Sequence, residues 1–187
     1  MIHYVKQIPI EQNFSSVSKE IVIGAGCFWG VERKFWDLPG VLMTSVGYSG
    51  GDTDNPTYED VLTGTTGHIE VVQVEYDPNI VSYDELLDMF CKIHDPTTID
   101  RQGPDIGEQY KSVIFHNNDE EKDLAQRKII DLDKGNYFND PIVTELRKAA
   151  VFYKAEEYHQ DFIEKTGRMC YHQLYVNQNQ TLFNTDF

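Results

Sequence analysis

Apolar and polar positions along the chain fall into alternating strand-like and helix-like stretches. Runs rich in β-branched and aromatic residues at 20–23, 41–47, 69–76, 112–116 and 143–148 predict strands. Apolar residues spaced by three and four at 28–38, 83–93, 119–132 and 155–165 predict helices. Ser82 followed by Glu85 gives the second helix a capping box, and Asn118 followed by Glu121 resembles one for the third. Strands and helices alternate, with one adjacent strand pair early. That order predicts an α+β fold in which a mixed sheet carries helices on one face. Two segments, 49–67 and 95–109, read as long loops, the second broken by Pro96, Gly103, Pro104 and Gly107. Long loops on a small scaffold are where function concentrates. No repeat, low-complexity tract or Pro/Gly/Ser-rich linker divides the chain. One domain over 1–187 is expected, with 1–18 as an N-terminal extension and 167–187 as an irregular tail.

Composition narrows the classes. The 187 residues, 40% of them hydrophobic, suffice for one sizeable core. A formal charge of −15 opposes binding to nucleic acid or to an anionic membrane surface. Three cysteines cannot all pair within one chain, so a secreted disulfide framework is not expected. Residues 1–20 mix Lys6, Gln7, Glu11, Gln12 and Asn13 among isolated apolar residues and lack the core of a signal peptide. A cytoplasmic monomer with reduced thiols is the expectation.

The most specific chemistry lies at Gly24-Ala25-Gly26-Cys27-Phe28-Trp29-Gly30, directly after the apolar run Ile21-Val22-Ile23. Cys27 thus falls where a buried strand turns into a helix. The amide N–H groups and dipole there favour an anion such as a thiolate. The glycines keep the backbone thin around the sulfur, and Phe28 and Trp29 supply aromatic surface beside it. A structural cysteine in a glycine turn next to two core aromatics fits the same residues. Glu70 shares a strand face with His68, Val72, Val74 and Tyr76, so its carboxyl points toward the apolar side. Burial there favours the protonated acid, which can act as a general acid near neutral pH. Cys91 lies on an amphipathic helix and reads as an inert core thiol. Cys170 follows Gly167-Arg168-Met169 just past the last helix, where the chain can bring a second sulfur to Cys27, with Arg168 favouring its thiolate. His68, His94, His159 and His172 form no metal set, and CxxC and HExxH are absent, so no metal and no organic cofactor are expected.

Gly26-Cys27-Phe28-Trp29-Gly30 resembles the active-site signature of the A class of peptide methionine sulfoxide reductases. Further blocks are similar to that family in the same order: Gly47-Tyr48-Ser49-Gly50-Gly51, Asn55-Pro56-Thr57-Tyr58, Gly67-His68-Ile69-Glu70-Val71-Val72, and His94-Asp95-Pro96-Thr97-Thr98. So are Arg101-Gln102-Gly103-Pro104-Asp105-Ile106-Gly107 with Gln109-Tyr110, and Ala155-Glu156-Glu157-Tyr158-His159-Gln160. The resemblance implies a two-layer α+β sandwich related to the ferredoxin-like arrangement. It implies thiol-dependent reduction of methionine sulfoxide, free or in proteins and of the S epimer, with repair of oxidised proteins as the outcome. By the same resemblance Cys27 is the nucleophile, Glu70 the catalytic acid, and Tyr58 and Tyr110 the hydrogen-bond donors to the sulfoxide oxygen. Asp105 organises Tyr110 or a water, Phe28 and Trp29 cradle the S-methyl group, Cys170 resolves the sulfenic acid, and thioredoxin is the reductant. The tail after Cys170 lacks the glycines and further cysteine of longer members, so a second disulfide relay is not expected. Two other readings fit a lone reactive cysteine. A thiol peroxidase would want a cation beside it, and a binding module for oxidised or methylated side chains would leave Cys27 incidental.

Overall fold

A computed structural model describes residues 1–12, 14 and 17–170. Its strands are β1 (Lys19–Ala25), β2 (Val41–Ser49), β3 (Ile69–Tyr76), β4 (Arg101–Gln102), β5 (Asp105–Ile106), β6 (Ser112–His116), β7 (Glu145–Lys148) and β8 (Tyr153–Lys154). Its helices are α1 (Phe28–Phe35), α2 (Tyr58–Leu62), α3 (Tyr83–Ile93), α4 (Asp119–Lys134) and α5 (Phe162–Thr166), with a 3-10 turn at Glu108–Tyr110. Six strands form one sheet in the order β7-β6-β1-β3-β2-β8, antiparallel except for the parallel β6–β7 pair. The inner four strands, joined through α1 and α3, repeat the β-α-β-β-α-β order of the ferredoxin-like motif. β4 and β5 make a separate small hairpin inside the second long loop.

Alternation along the strands sorts the two faces. Ile21, Ile23, Val72, Val74 and Tyr76 point into the main core under α1, α3 and α4, with Val31, Phe35, Leu86, Leu87 and Phe90 opposite them. Ile69, Val71, Val113 and Phe115 form a smaller cluster on the other face, covered by Val22 and Phe152. Ser82 and Glu85 form the expected reciprocal cap on α3, and the Asn118 side chain accepts the Glu121 N–H on α4. No helix among the described residues is long and apolar enough to cross a membrane.

The predicted helix over 155–165 is corrected. Residues 155–161 are extended or turn, and only Phe162–Thr166 is helical. Gln160 accounts for this: its amide caps the Val46 backbone from both sides (2.9 Å each) and also reaches Ala155 O (2.9 Å). A side chain that substitutes for a strand partner pins the backbone out of helical register. β7 begins at Glu145 rather than 143 because the Val143 N–H turns to Pro96 O. The first 49–67 loop holds α2, whose Thr57 and Asp60 form a capping box too short-lived in sequence to show as a period.

Candidate active site

β1 ends at Ala25, Gly26 takes a left-handed φ of 93°, and Cys27 caps α1. This is the turn the glycine pattern requires, because a side chain at Gly26 would be strained. The thiol is half-buried and hydrogen-bonded to Cys170, the last described residue, so residues 168–170 pack beside the Cys27 turn. None of Cys27, Cys91 and Cys170 is in a disulfide.

Opposing influences act on the Cys27 thiol. The hydrogen bond to Cys170, burial and the negative charge of Glu70 hold the Cys27 thiol well above its ordinary value, and the Trp29 N–H opposes them only in part. Two of those causes depend on groups that change during a thiol–sulfoxide reaction. Displacing Cys170, or having Glu70 protonated, removes them.

Glu70 lies on β3 opposite Tyr48, is 1% exposed, and accepts the Phe28 N–H at 3.1 Å. The strand thus aims a carboxyl at the first amide of the helix that Cys27 caps. Burial pushes its pKa up to about 8, against the Phe28 hydrogen bond and with help from Asp105. The carboxyl is therefore an acid at neutral pH.

The two long loops converge on the same place. Tyr58 opens α2 and Tyr110 closes the 3-10 turn. Burial raises both phenols, and both feel Glu70, Cys27 and Asp105, which places the five groups within electrostatic reach of one another. Asp105, on β5, lines a cavity of about 290 Å³ together with Cys27, Trp29, Phe162, Met169 and Cys170. Phe28 and Trp29 divide. Phe28 is 1% exposed and packs against Tyr48, Tyr58 and His159, whereas Trp29 faces the cavity. Arg168 sits with its guanidinium 5.8 Å from the Phe162 ring centre. Cys91 is buried in the core of α3, and desolvation raises its thiol to about 12. His172 and the tail from 171 onward lie outside the described residues.

Three groups that sequence reasoning left unassigned support this arrangement. His159 accepts the Trp29 indole N–H at 3.0 Å and packs at a tilt against Tyr58, with ring centres 4.4 Å apart. Burial lowers its pKa, which keeps Nδ1 available as an acceptor. Phe162 stacks on Trp29 at 3.9 Å and 14°. Glu156 accepts the Tyr58 N–H (2.9 Å) and the Tyr48 hydroxyl (3.0 Å); burial alone would raise its carboxyl, but these bonds hold it below the usual range. Glu156 and His159 were marked in the sequence only by their place in the family-like block 155–160 and by their i, i+3 spacing. A further buried set, His3, Glu32 and Asp161, brings its ligating atoms within 4.8 Å of one another, a grouping that the histidine spacings did not reveal.

The family model for peptide methionine sulfoxide reductase matches residues 19–186. Peptide methionine sulfoxide reductase MsrA of Methanothermobacter thermautotrophicus is 54% identical over 154 residues, covering 82% of this chain and 91% of that protein. Methionine sulfoxide reductase A of Corynebacterium diphtheriae superimposes with a TM-score of 0.77 at 37% identity, over 90% of this chain and 83% of that one. Mxr1 from Saccharomyces cerevisiae, solved in complex with Trx2, gives 0.54 at 29% identity over 81% and 90%. With the cysteine turn, the buried acid and the aromatic wall assembled around one cavity, and with a match over nearly the whole length, this chain belongs to the peptide methionine sulfoxide reductase family.

Proposed function

We propose that this protein reduces the S epimer of methionine sulfoxide through Cys27 and is recycled by a thioredoxin in a reducing, cytoplasmic setting. The observation that carries the reading is the Cys27 thiol held between a buried acid, Glu70, and a second thiol, Cys170. Trp29, backed by Phe28, offers an apolar face to the S-methyl group. Tyr58 and Tyr110, kept neutral by burial, donate hydrogen bonds to the sulfoxide oxygen, with Asp105 orienting Tyr110.

In the reaction, the Cys27 sulfur attacks the sulfoxide sulfur while Glu70 delivers a proton to the oxygen. The S–O bond breaks, the hydroxyl passes to Cys27, methionine leaves with the electron pair, and the thiol proton returns to Glu70. Cys27 is oxidised to the sulfenic acid. The Cys170 thiol condenses with it, releasing water and forming a Cys27–Cys170 disulfide, and an external dithiol reduces that bond by exchange. The solved complex of yeast Mxr1 with Trx2 supports a thioredoxin as that dithiol.

The test is Cys170→Ser, assayed with the separate R and S sulfoxides of a blocked methionine. One equivalent of methionine should form from the S epimer in a single turnover. Thioredoxin-supported turnover should then fail, and dithiothreitol should restore it in part. Normal turnover of Cys170→Ser with thioredoxin would remove Cys170 from the cycle, and activity of a folded Cys27→Ser variant would sink the whole reading. The groups that act electrostatically on Cys27 are Glu70 and Cys170, and neither is the cation that a peroxidase needs beside its thiolate.

A further inference from the structure

The family match begins at residue 19, yet His3, far outside it, is fully buried. Its ring sits between two parts of the site. Nδ1 accepts the Lys6 N–H at 3.1 Å and lies 3.0 Å from Asp161 Oδ1, an oxygen without a hydrogen bond from the described residues, and Nε2 is 2.9 Å from Thr44 Oγ1 on β2. The next residue joins in, the Tyr4 N–H donating to the other Asp161 oxygen at 2.7 Å. From the opposite side Glu32, on α1 and one turn past Trp29, accepts the Asp161 N–H at 2.8 Å and the Thr44 hydroxyl at 3.3 Å.

We propose that His3 is a positioning residue of the substrate pocket: it holds the N-terminal turn whose Tyr4 N–H fixes Asp161, and through Asp161 the turn whose His159 and Phe162 hold Trp29 in the cavity wall. The inference rests on the reading of Trp29 as the face that receives the S-methyl group. Asp161 has a left-handed φ of 54°, a conformation that aspartate tolerates better than most residues but that still favours surroundings which hold it. The carboxylate contacts from the N-terminal segment and the amide contact to Glu32 impose it. Because His159 lies two residues before Asp161 and Phe162 directly after, the same turn sets both the indole hydrogen bond and the 3.9 Å stack on Trp29. The cluster could be taken for a cation site. However, both His3 nitrogens and both Glu32 oxygens already have hydrogen-bond partners, so it acts as a lock between segments.

The test uses the full chain with His3→Leu, His3→Asn and Asp161→Gly. Two readouts are taken: KM and kcat for a blocked methionine sulfoxide with dithiothreitol, and the ¹⁵N-indole resonance of Trp29, assigned by its loss in Trp29→Phe. Losing the two hydrogen bonds by which His3 holds this turn should raise KM about tenfold with kcat within about twofold, and should shift the Trp29 indole signal. Asparagine, whose Oδ1 can accept the Lys6 N–H near the Nδ1 position, should restore part of both. Asp161→Gly, which tolerates the positive φ, should match His3→Leu, and the double variant should be no worse than either alone. Parental KM and a parental indole resonance in folded His3→Leu overturn the proposal. Should that variant not fold, the same two results in Asp161→Gly overturn it. A parent that reduces neither sulfoxide epimer would defeat the functional reading instead, and the indole signal would still report on the link from His3 to Trp29.

Discussion

Two carboxyls of the same kind in this protein have opposite ionisation, and their surroundings explain it. Glu70 and Glu156 both accept a backbone N–H, but Glu70 is fully buried with one such bond, whereas Glu156 is partly exposed and accepts a second bond from Tyr48. Desolvation wins at Glu70 and hydrogen bonding wins at Glu156. Glu70→Gln keeps the shape and the Phe28 contact but removes the proton, so single-turnover methionine release should slow by about 10²–10⁴-fold. The parent's kcat/KM should fall as pH rises through about 8, where Glu70 loses its proton, and rapid-quench assays should find that fall missing in Glu70→Gln. Cys91 is the contrasting thiol. Cys91→Ser should leave turnover unchanged and cost about 1–3 kcal/mol of stability by urea denaturation, since a buried hydroxyl lacks a partner there.

At the level of elements, the β1–α1 corner sets the geometry of the site. Gly24 pairs with Val113 across β1 and β6, and a Cβ placed on it would come within 2.8 Å of Val113 Cγ1, 2.9 Å of Ile69 Cγ2 and 3.1 Å of the Glu70 carbonyl oxygen. Gly24→Ala should therefore push β1 away from β3 where it carries the acid. A loss of about 1–3 kcal/mol in denaturant midpoint is expected, with kcat lowered more than KM is raised. A variant of parental stability and kcat would show that the strands can yield without moving Glu70. Phe28–Phe35 was legible as a helix because its apolar residues keep the helical period, and Cys27 was placed at its start by the glycines before it. The 155–165 segment keeps a similar period and yet is not a helix until Phe162, because Glu156, His159 and Gln160 spend their side chains on Tyr58, Trp29 and Val46.

For the whole molecule, Glu32 and Glu70 are two buried acids whose folded-state pKa values burial lifts to about 8 from an ordinary 4.5. A raised pKa means that the folded chain holds a proton the unfolded chain gives up. The resulting stability is full below about 4.5 and is lost as pH rises through about 8. The melting temperature should thus fall between pH 5 and pH 9, and Glu32→Gln/Glu70→Gln should flatten that fall. His159 has the opposite sign, its lowered pKa favouring the folded state as pH rises past 6.5, so the difference between parent and double variant isolates the two acids. An unchanged slope in the double variant would mean that neither acid is protonated in the folded protein at pH 7.

Periodicity, the capping boxes and the glycine turn are local, and they were enough to determine the α+β class, the inner strands, the starts of α1, α3 and α4, and the setting of Cys27 at a strand-to-helix turn beside aromatic residues. The tertiary structure alone decided which side chains meet. The Trp29 indole finds its acceptor 130 residues away, Glu156 takes the Tyr58 amide 98 residues away, and His3 reaches Thr44 and Asp161 from the opposite end of the chain. Such contacts leave no period, since a single polar side chain can reach any backbone that folding brings beside it. Burial decides in the same way whether that contact ionises a carboxyl, as at Glu156, or keeps it an acid, as at Glu70.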